Sequence, residues 1–264
     1  MAGRGWFFRV RVTLLLSVLV VVLLWAGSDW WRRRERREWR RPLRVALVLV
    51  EREPVPAPIT AELTRRAREL ELRLREQLSQ YGERQPHPFE LVVQGPVSAT
   101  TAPPQLTEQS FTALLRHSYA RWRWTSDVDE RARVATRGFD SRIYLVLHPV
   151  SDAEPAGVEG ESEDGGRVGI AQADIASDMV DFALFVAAHE LFHTLGALDH
   201  YDEKGQAQYP SGFAAPEQKP LYPQHAAELM ARNIPLSPTS ARPPDSLNEL
   251  WIGPETAREI GWLR

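Results

Sequence analysis

Short apolar runs recur along the chain after an apolar N-terminal segment, and they indicate the strands of a sheet. Residues 44–51 (RVALVLVE), 89–97 and 141–150 are rich in β-branched and other apolar side chains, which predicts three buried strands. Residues 167–175 (RVGIAQADI) predict a fourth, shorter strand. Its internal glycine indicates either an edge strand or a close approach of another backbone.

Apolar residues at helical spacing fill the intervals between these runs. One predicted helix begins at Thr60, a plausible N-cap, and ends at Gly82; another covers residues 103–122. A third helix, residues 179–195 with Asp178 as its predicted N-cap, is apolar on nearly every face, so we expect it to be central and buried. Strands that alternate with helices predict an α/β fold with a mixed, mostly parallel twisted sheet and packed helices.

The sequence predicts loops in two stretches. Residues 151–166 are acidic, which is typical of a solvated loop; a calcium loop is the alternative, although the alternating ligand pattern of known calcium loops is absent. Residues 209–244 are rich in proline, and a short terminal helix with Pro254 in its first turn follows. We therefore expect the sheet to be followed by a small, loop-rich C-terminal subdomain.

The N-terminal segment has the composition of a membrane anchor. Residues 12–27 are apolar except for Thr13 and Ser17, which is slightly short for a hydrocarbon core of about 30 Å. Tryptophans flank the run and would extend the span into both interfaces: Trp6, Trp25, Trp30 and Trp31. A cleaved signal peptide, with a cleavage site near 26–28, is the competing interpretation. We divide the chain into residues 1–41, the anchor or signal with its basic juxtamembrane run, and a globular domain, residues 42–264.

Charge gives conflicting indications about the side of the membrane. Three arginines precede the apolar run and eight follow it by residue 44, which favours a cytoplasmic domain by the positive-inside rule. A short basic tail before an apolar core is also typical of chains that are sent outward. We expect a single-pass protein of a bacterial-type inner membrane and lean toward the periplasmic side despite the positive-inside count.

Composition excludes several classes of site. The net charge of −3 gives no indication of a nucleic-acid partner, and the chain has no cysteine. Disulfides, thiolate metal sites and cysteine nucleophiles are therefore excluded.

The third helix ends in the segment HELFHTLGALDH, residues 189–200, whose polar residues have the spacing of a metal site. His189 and His193 are separated by four positions, so their rings lie on one helix face and can converge on one ion. Glu190 lies off that face but close enough to hold a water molecule. Ionisable side chains placed in an apolar helix need partners, because burying them alone costs several kcal/mol.

A third ligand can follow the helix. Gly196 stands where helices commonly end in a left-handed residue, and the chain can then turn back toward the ion. Asp199 and His200 are both candidates on residue type alone. Neighbouring side chains in an extended backbone point to opposite sides, so only one of the two is expected to face the metal.

The pattern H-E-x-x-H-x-x-G-x-x-ligand resembles that of the metzincin zinc metallopeptidases, in the variant with aspartate in place of the third histidine. The resemblance implies a Zn²⁺ ion held by His189, His193 and Asp199, with His200 as the alternative third ligand and a supporting role otherwise. It implies a methionine turn at Met230 and substrate binding along the edge strand, residues 167–175. Arg232 stands where the family has a tyrosine that reaches the zinc, so that contact is in doubt.

The residue types favour a membrane-anchored zinc endopeptidase acting on peptides or proteins, with Glu190 as general base. A non-catalytic zinc-containing module that holds a peptide in the same cleft is the alternative, and a metal-free structural domain is a third interpretation. We expect Tyr201, Tyr209 and Tyr222 to be packing residues.

Overall fold

The computed structural model describes residues 3–82, 87–106, 108, 110–150, 158–162 and 166–263. Within them, a five-stranded sheet has the strand order β2-β1-β3-β5-β4. β1, β2, β3 and β5 run parallel, and β4 pairs antiparallel with β5. The prediction of an α/β fold with a mixed, mostly parallel sheet is confirmed. The strands are β1 (Leu43–Glu51), β2 (Phe89–Ser98), β3 (Ser141–Pro149), β4 (Val158–Ser162) and β5 (Val168–Ile175).

The helices are α1 (Gly3–Arg37), α2 (Ala57–Ser79), α3 (Phe111–Ala132), α4 (Val180–Leu195) and α5 (Pro254–Glu259). α2 and α4 pack on one face of the sheet, and α3 packs on the other. Leu47 and Leu49 of β1 face the core shared with α2 and α4, whereas Ala46 and Val48 face the core shared with α3. Burial on both faces explains why the central strands are continuous apolar runs rather than alternating ones.

The predicted starts of α2 and α3 are wrong by several residues, and that of α4 by one. α2 begins after Pro56, and Thr60 lies inside it, where its hydroxyl donates to the carbonyl of Ala57. α3 begins after Ser110, whose hydroxyl accepts from the Ala113 amide, and it continues to Ala132 through a polar second half that the apolar pattern did not include. α4 begins after Met179, so Asp178 is not its N-cap residue.

The predicted edge strand is not at the edge. β4, within the segment predicted as an acidic loop, pairs with β5 and forms the outer strand of the described sheet. Its sequence, VEGES, lacks the apolar pattern of a strand, and its pairing with β5 defines it. Residues 151–157 and 163–165 of the predicted loop lie outside the described residues.

Gly169 of β5 confirms the alternative interpretation of that glycine, a close approach of another backbone. A Cβ atom there would lie 3.2 Å from both the Cβ and the carbonyl oxygen of Glu190, and 2.9 Å from Cδ1 of Ile143. β5 therefore passes directly behind the α4 residue predicted to be the base.

The C-terminal third is loop-rich, as predicted, but it shares one hydrophobic core with α4 and the sheet. Met230, Leu250, Ile260 and Trp262 are buried in the same cluster as the apolar residues of α4. The predicted terminal helix is confirmed as α5, with Pro254 in its first turn. Short strands in this region form two pairs, β6 with β9 and β7 with β8. They are β6 (Ala227–Glu228), β7 (Ile234–Ser237), β8 (Ser240–Arg242) and β9 (Leu250–Trp251).

α1 is long and apolar enough to cross a membrane, and it continues directly into the globular fold. The buried Arg36 donates to the carbonyl oxygen of Gly166 at 2.8 Å. Trp39 is buried, donates its indole N–H to the Ile260 carbonyl at 2.8 Å, and contacts the rings of Phe89 and Trp262 edge-on. The end of the apolar helix is thus packed into the domain rather than joined to it by a loop.

Replacing Trp39 with alanine should lower the free energy of unfolding by about 3–5 kcal/mol, because it leaves a cavity among Phe89, Trp262 and Ile260. Trp31→Ala is the matched control: Trp31 is 66% exposed, so its loss should change stability by no more than about 0.5 kcal/mol. Denaturant unfolding of the full chain in detergent measures both. Equal effects would contradict the packed junction.

Candidate metal centre

The end of α4 sets the geometry of the centre. Gly196 has φ +100°, a left-handed conformation that other residues rarely adopt, and the Ala197 amide donates back to the carbonyl of Phe192. A Cβ on Gly196 would meet no atom within 4 Å, so backbone conformation and not space selects glycine here. The reversal brings Asp199 back beside the last two turns of the helix.

Three side-chain atoms meet at this point. Nε2 of His189 and Nε2 of His193 are 3.1 Å apart, and Oδ1 of Asp199 lies 3.3 Å and 3.2 Å from them. The two histidines are buried, whereas the Asp199 side chain is 42% exposed and therefore borders solvent. The structure thus brings together His189, His193 and Asp199, three residues that the sequence predicted to converge.

The outer ring nitrogens fix the tautomers of both histidines. Nδ1 of His189 lies 3.0 Å from the carbonyl oxygen of Leu229, and Nδ1 of His193 lies 2.9 Å from that of Ala197. A carbonyl oxygen only accepts, so each Nδ1 carries the proton and donates it. In the neutral imidazoles, both Nε2 lone pairs then point toward each other and toward the carboxylate, which is unfavourable without a cation between them.

Zinc fits this donor set. Zinc binds imidazole nitrogen and carboxylate oxygen at about 2.0–2.2 Å, and tetrahedral ligands at those distances are about 3.3–3.6 Å apart. The three observed separations, 3.1–3.3 Å, approach that spacing. Carbonyl acceptors behind the histidines are the outer support that zinc-bound imidazoles commonly have.

Asp199 and His193 stabilise each other's charge. Burial opposes the charged form of Asp199, but hydrogen bonds from Nε2 of His189 and His193, which each imidazole donates in its protonated form, outweigh it and hold the pKa of the Asp199 carboxyl well below its usual range. Burial likewise opposes the imidazolium form of His193, yet the hydrogen bond to Asp199 and the charges of Glu190 and Asp199 raise its pKa. Asp199 is therefore ionised, and its negative charge attracts positive charge to the centre, as a cation ligand must.

Glu190 lies beside the three converging atoms and is nearly buried. One of its carboxylate oxygens lies within 4.8 Å of nitrogens of both histidines. Oε2 is buried, and within the described part of the chain no group hydrogen-bonds to it. A buried carboxylate oxygen without a partner is costly unless a bound species completes it, so this atom is suited to hold a water molecule or substrate proton.

His200 faces away from the centre. Its Nδ1 lies 3.5 Å from Oε2 of Glu228, and its Nε2 lies 3.4 Å from Oε1 of Glu259. Burial opposes its charged form, but hydrogen bonds to the two carboxylates outweigh it and raise the pKa of His200 to about 10. His200 thus contacts two carboxylates, which is consistent with the supporting role that the sequence analysis gave it.

Glu228 is fully buried and connects three segments of the C-terminal region. It accepts from the amides of Met230 and Gly253 and from the hydroxyl of Thr256, at 2.7, 3.1 and 2.6 Å. Together with His200, it joins the loop that carries Asp199 to α5 and to the turn at Met230.

Met230 lies in a buried single-turn 3-10 helix, Leu229–Ala231. Its carbonyl accepts from the His200 amide at 2.9 Å, and the preceding carbonyl, of Leu229, accepts from His189. The turn therefore supports both the helix histidine and the loop that follows, mainly through backbone atoms.

Tyr201 and Arg232 belong to the centre, which the sequence interpretation missed. The Tyr201 ring stacks on His189 with centroids 6.4 Å apart, and the Arg232 guanidinium lies over the same ring, 5.8 Å from its centroid. Tyr201 is two positions beyond Asp199, so in extended backbone both point to the same side. That offset was the available indication.

A cavity of about 410 Å³ opens beside the centre. His189, Tyr201 and Arg232 form its boundary with the three converging atoms. The apolar part of its lining comes from the first turns of α4: Met179, Phe182, Phe185 and Val186. The cavity is therefore suited to an apolar side chain held next to the candidate metal ligands.

Comparisons with known proteins identify no family for this chain. No model of a known protein family matches it, and no curated protein matches it. Among solved structures, archaemetzincin from Methanopyrus kandleri is 16% identical with a TM-score of 0.33, over 62% of this chain and 78% of that one. Wild-type OgpA from Akkermansia muciniphila is 11% identical with a TM-score of 0.36, over 84% of this chain and 60% of that one. At these TM-scores neither similarity carries an argument, so function rests on the geometry of the centre.

Asp199→Ala and His200→Asn should separate the two candidates for the third ligand. Loss of a ligand should weaken zinc binding by more than the roughly 10–100-fold that loss of a supporting residue costs, because the remaining two nitrogens cannot close the site. His200→Asn should stay within that range, since the His200 side chain contacts Glu228, Glu259 and Thr256 and none of the three converging atoms. Competition with a zinc chelator on the full chain measures both affinities. A larger loss for His200→Asn than for Asp199→Ala would reverse the assignment.

Proposed function

We propose that this protein is a membrane-anchored zinc-dependent peptidase. The observation that carries the proposal is the convergence of His189, His193 and Asp199 within 3.3 Å of one another, with the Glu190 carboxylate beside them. These residues are a zinc donor set with a neighbouring general base, the combination that zinc hydrolases use. The chain has no cysteine, so a thiolate can be neither a metal ligand nor a nucleophile at this centre.

The residues divide the reaction between them. Zinc held by His189, His193 and Asp199 would polarise a substrate carbonyl and lower the pKa of a water molecule toward about 7. Glu190 takes the proton from the attacking water as the new C–O bond forms. It then delivers that proton to the amine nitrogen as the C–N bond breaks, which restores the Glu190 carboxylate.

Other side chains position the reacting groups. Tyr201 and Arg232 act on a metal ligand, because the Tyr201 ring stacks on His189 and Arg232 lies over the Tyr201 ring, which restricts the His189 imidazole. Gly169 allows β5 to lie against Glu190 and restricts that side chain from behind. The apolar cavity beside His189 holds one substrate side chain. Because β4 covers β5, a substrate that adds a strand to this sheet would pair with β4.

A non-catalytic zinc-containing module that binds peptides is the second candidate. The cavity favours it, since it could retain an apolar side chain without any cleavage. Glu190 separates the two candidates, because peptide retention needs no base beside the metal.

The proposal places the domain at a membrane through α1, which is supported by the length and apolar composition of that helix. We propose a single pass through a bacterial-type inner membrane with the domain on the periplasmic side, and a peptide or protein substrate.

Glu190→Gln should abolish peptide hydrolysis while zinc remains bound. The amide keeps the size of the side chain but cannot take a proton, so the rate should fall by about 10²–10⁴-fold. A peptide-library digest by the purified full chain, with zinc content measured on the same samples, provides the test. Glu90→Gln is the control, an exposed carboxylate of β2 that pairs with Arg44 and contacts no residue of the centre. Cleavage at the wild-type rate by Glu190→Gln would refute the role of Glu190.

The full chain should remain in the membrane fraction after carbonate and high-salt washing, because residues 12–27 are held by hydrophobic burial and not by charge. A C-terminal fusion to a reporter that is active only in the periplasm should be active, whereas a fusion to a reporter active only in the cytoplasm should not. Recovery of a soluble periplasmic chain that starts near residue 29 would establish a cleaved signal peptide instead.

A further inference from the structure

The first three turns of α3 expose a stripe of large apolar side chains. Phe111, Leu115, Tyr119 and Trp122 are 74%, 57%, 60% and 62% exposed, and the neighbouring Leu114 is 44% exposed. Their spacing of three or four residues places them on one face of the helix. We call these five residues the α3 stripe. Contiguous apolar patches of this kind indicate an interaction surface.

The same helix is packed normally in its second half. Trp124 and Val128 are buried against the sheet, and Trp124 contacts the ring of Tyr144. The α3 stripe is therefore not required for the attachment of α3 to the sheet. The stripe lies in the first half of α3, before the residues that pack on the strands.

Two hydrogen bonds place the α3 stripe next to the end of α1. Arg121, adjacent to Trp122, donates to the carbonyl oxygen of Val168 at 2.7 Å. Arg36, in the last turn of α1, donates to the carbonyl oxygen of Gly166 at 2.8 Å. Gly166 and Val168 are two residues apart, at most about 7 Å along extended chain. Arg121, at the end of the stripe, and Arg36, at the end of the anchor, therefore both reach the start of β5.

This end of β5 lies close to the membrane surface when α1 spans a bilayer. Trp31 is 66% exposed on α1 and is expected at the interface. Arg36 follows it by five residues, which is about 8 Å along the helix. The headgroup layer on each side of the hydrocarbon core is itself about 5–8 Å thick. Side chains beside Arg36 and Gly166 can therefore reach this layer.

The composition of the α3 stripe suits a lipid interface. Aromatic rings with a polar edge, such as Tyr119 and Trp122, are enriched at the headgroup level. Arg116 and Arg123 are both exposed and flank one side of the stripe on the helical projection, where they can contact anionic headgroups.

We propose that the α3 stripe is a second membrane contact, lying in the headgroup layer of an anionic bilayer beside the anchor. The proposal rests on the membrane anchoring proposed above and not on the peptidase activity. A helix that crosses the bilayer and a second helix that lies on it together fix the orientation of the domain. The cleft would then be held at a fixed angle and height relative to the membrane surface.

Nitroxide labels on the full chain test this contact directly, since the chain contains no cysteine to compete for labelling. Single variants Leu115→Cys and Tyr119→Cys report on the stripe in vesicles of phosphatidylcholine and phosphatidylglycerol. Leu72→Cys is the matched control, a leucine 49% exposed on α2, which packs on the opposite face of the sheet. Leu19→Cys reports on the anchor itself.

Labels at 115, 119 and 19 should collide with oxygen dissolved in the lipid and lose broadening by a water-soluble nickel complex, whereas the label at 72 should show the reverse. Arg116→Glu with Arg123→Glu should restore nickel broadening at 119. Water exposure at 115 and 119 with lipid exposure at 19 would overturn the second contact and leave the anchor intact. Water exposure at all positions would overturn both. Spin–spin broadening at 119 that disappears on dilution with unlabelled chain would assign the stripe to a second copy of the protein instead.

Discussion

Two imidazole nitrogens and one carboxylate oxygen held 3.1–3.3 Å apart are the constraint on which the rest of the structure depends. Lone pairs and negative charge converge at this point, so the arrangement is stable only when a cation or extra protons occupy it. In the absence of metal, the raised pKa of His193 and the lowered pKa of Asp199 are the protein's partial solution. A bound divalent cation satisfies all three atoms at once, which is why the proposed function begins with zinc.

Much of the surrounding structure serves to hold these atoms in place. The carbonyls of Leu229 and Ala197 orient the two imidazoles, and the pair Glu228–His200 fixes the loop that carries Asp199. From the other side, the Arg36 guanidinium lies 3.4 Å from the Ser141 hydroxyl, which hydrogen-bonds with Thr194 at 2.8 Å. Thr194 follows His193 directly. The end of α1 and the end of α4 that carries His193 are thus joined by two hydrogen bonds, so α1 and the candidate centre belong to one packed unit.

The sequence predicted what local pattern determines. Apolar runs gave β1, β2, β3 and β5, and the spacing of His189, Gly196 and Asp199 gave the centre, because helix periodicity and a left-handed glycine are properties of neighbouring residues. Pairing between strands could not be predicted from local pattern. β4 exists by pairing with β5 and has no pattern of its own, so the edge was assigned to the wrong strand. Tyr201 was interpreted as a packing residue, because its role depends on the ring of His189 and on Arg232, which lies in a distant loop. The start of α2 was displaced because Pro56 and not Thr60 precedes it, and that of α3 because the capping residue is Ser110, inside the stretch predicted to be helical.

X-ray absorption at the zinc K-edge tests the central claim most directly. On the full chain loaded with one equivalent of zinc, the account predicts a four-coordinate nitrogen and oxygen shell at about 2.0–2.2 Å that includes two imidazoles. The imidazole contribution should fall to one in His189→Ala and stay at two in His200→Asn. A spectrum with three imidazoles would place His200 on the metal, against its position between Glu228 and Glu259. A six-coordinate oxygen shell without imidazole would contradict the proposed centre altogether.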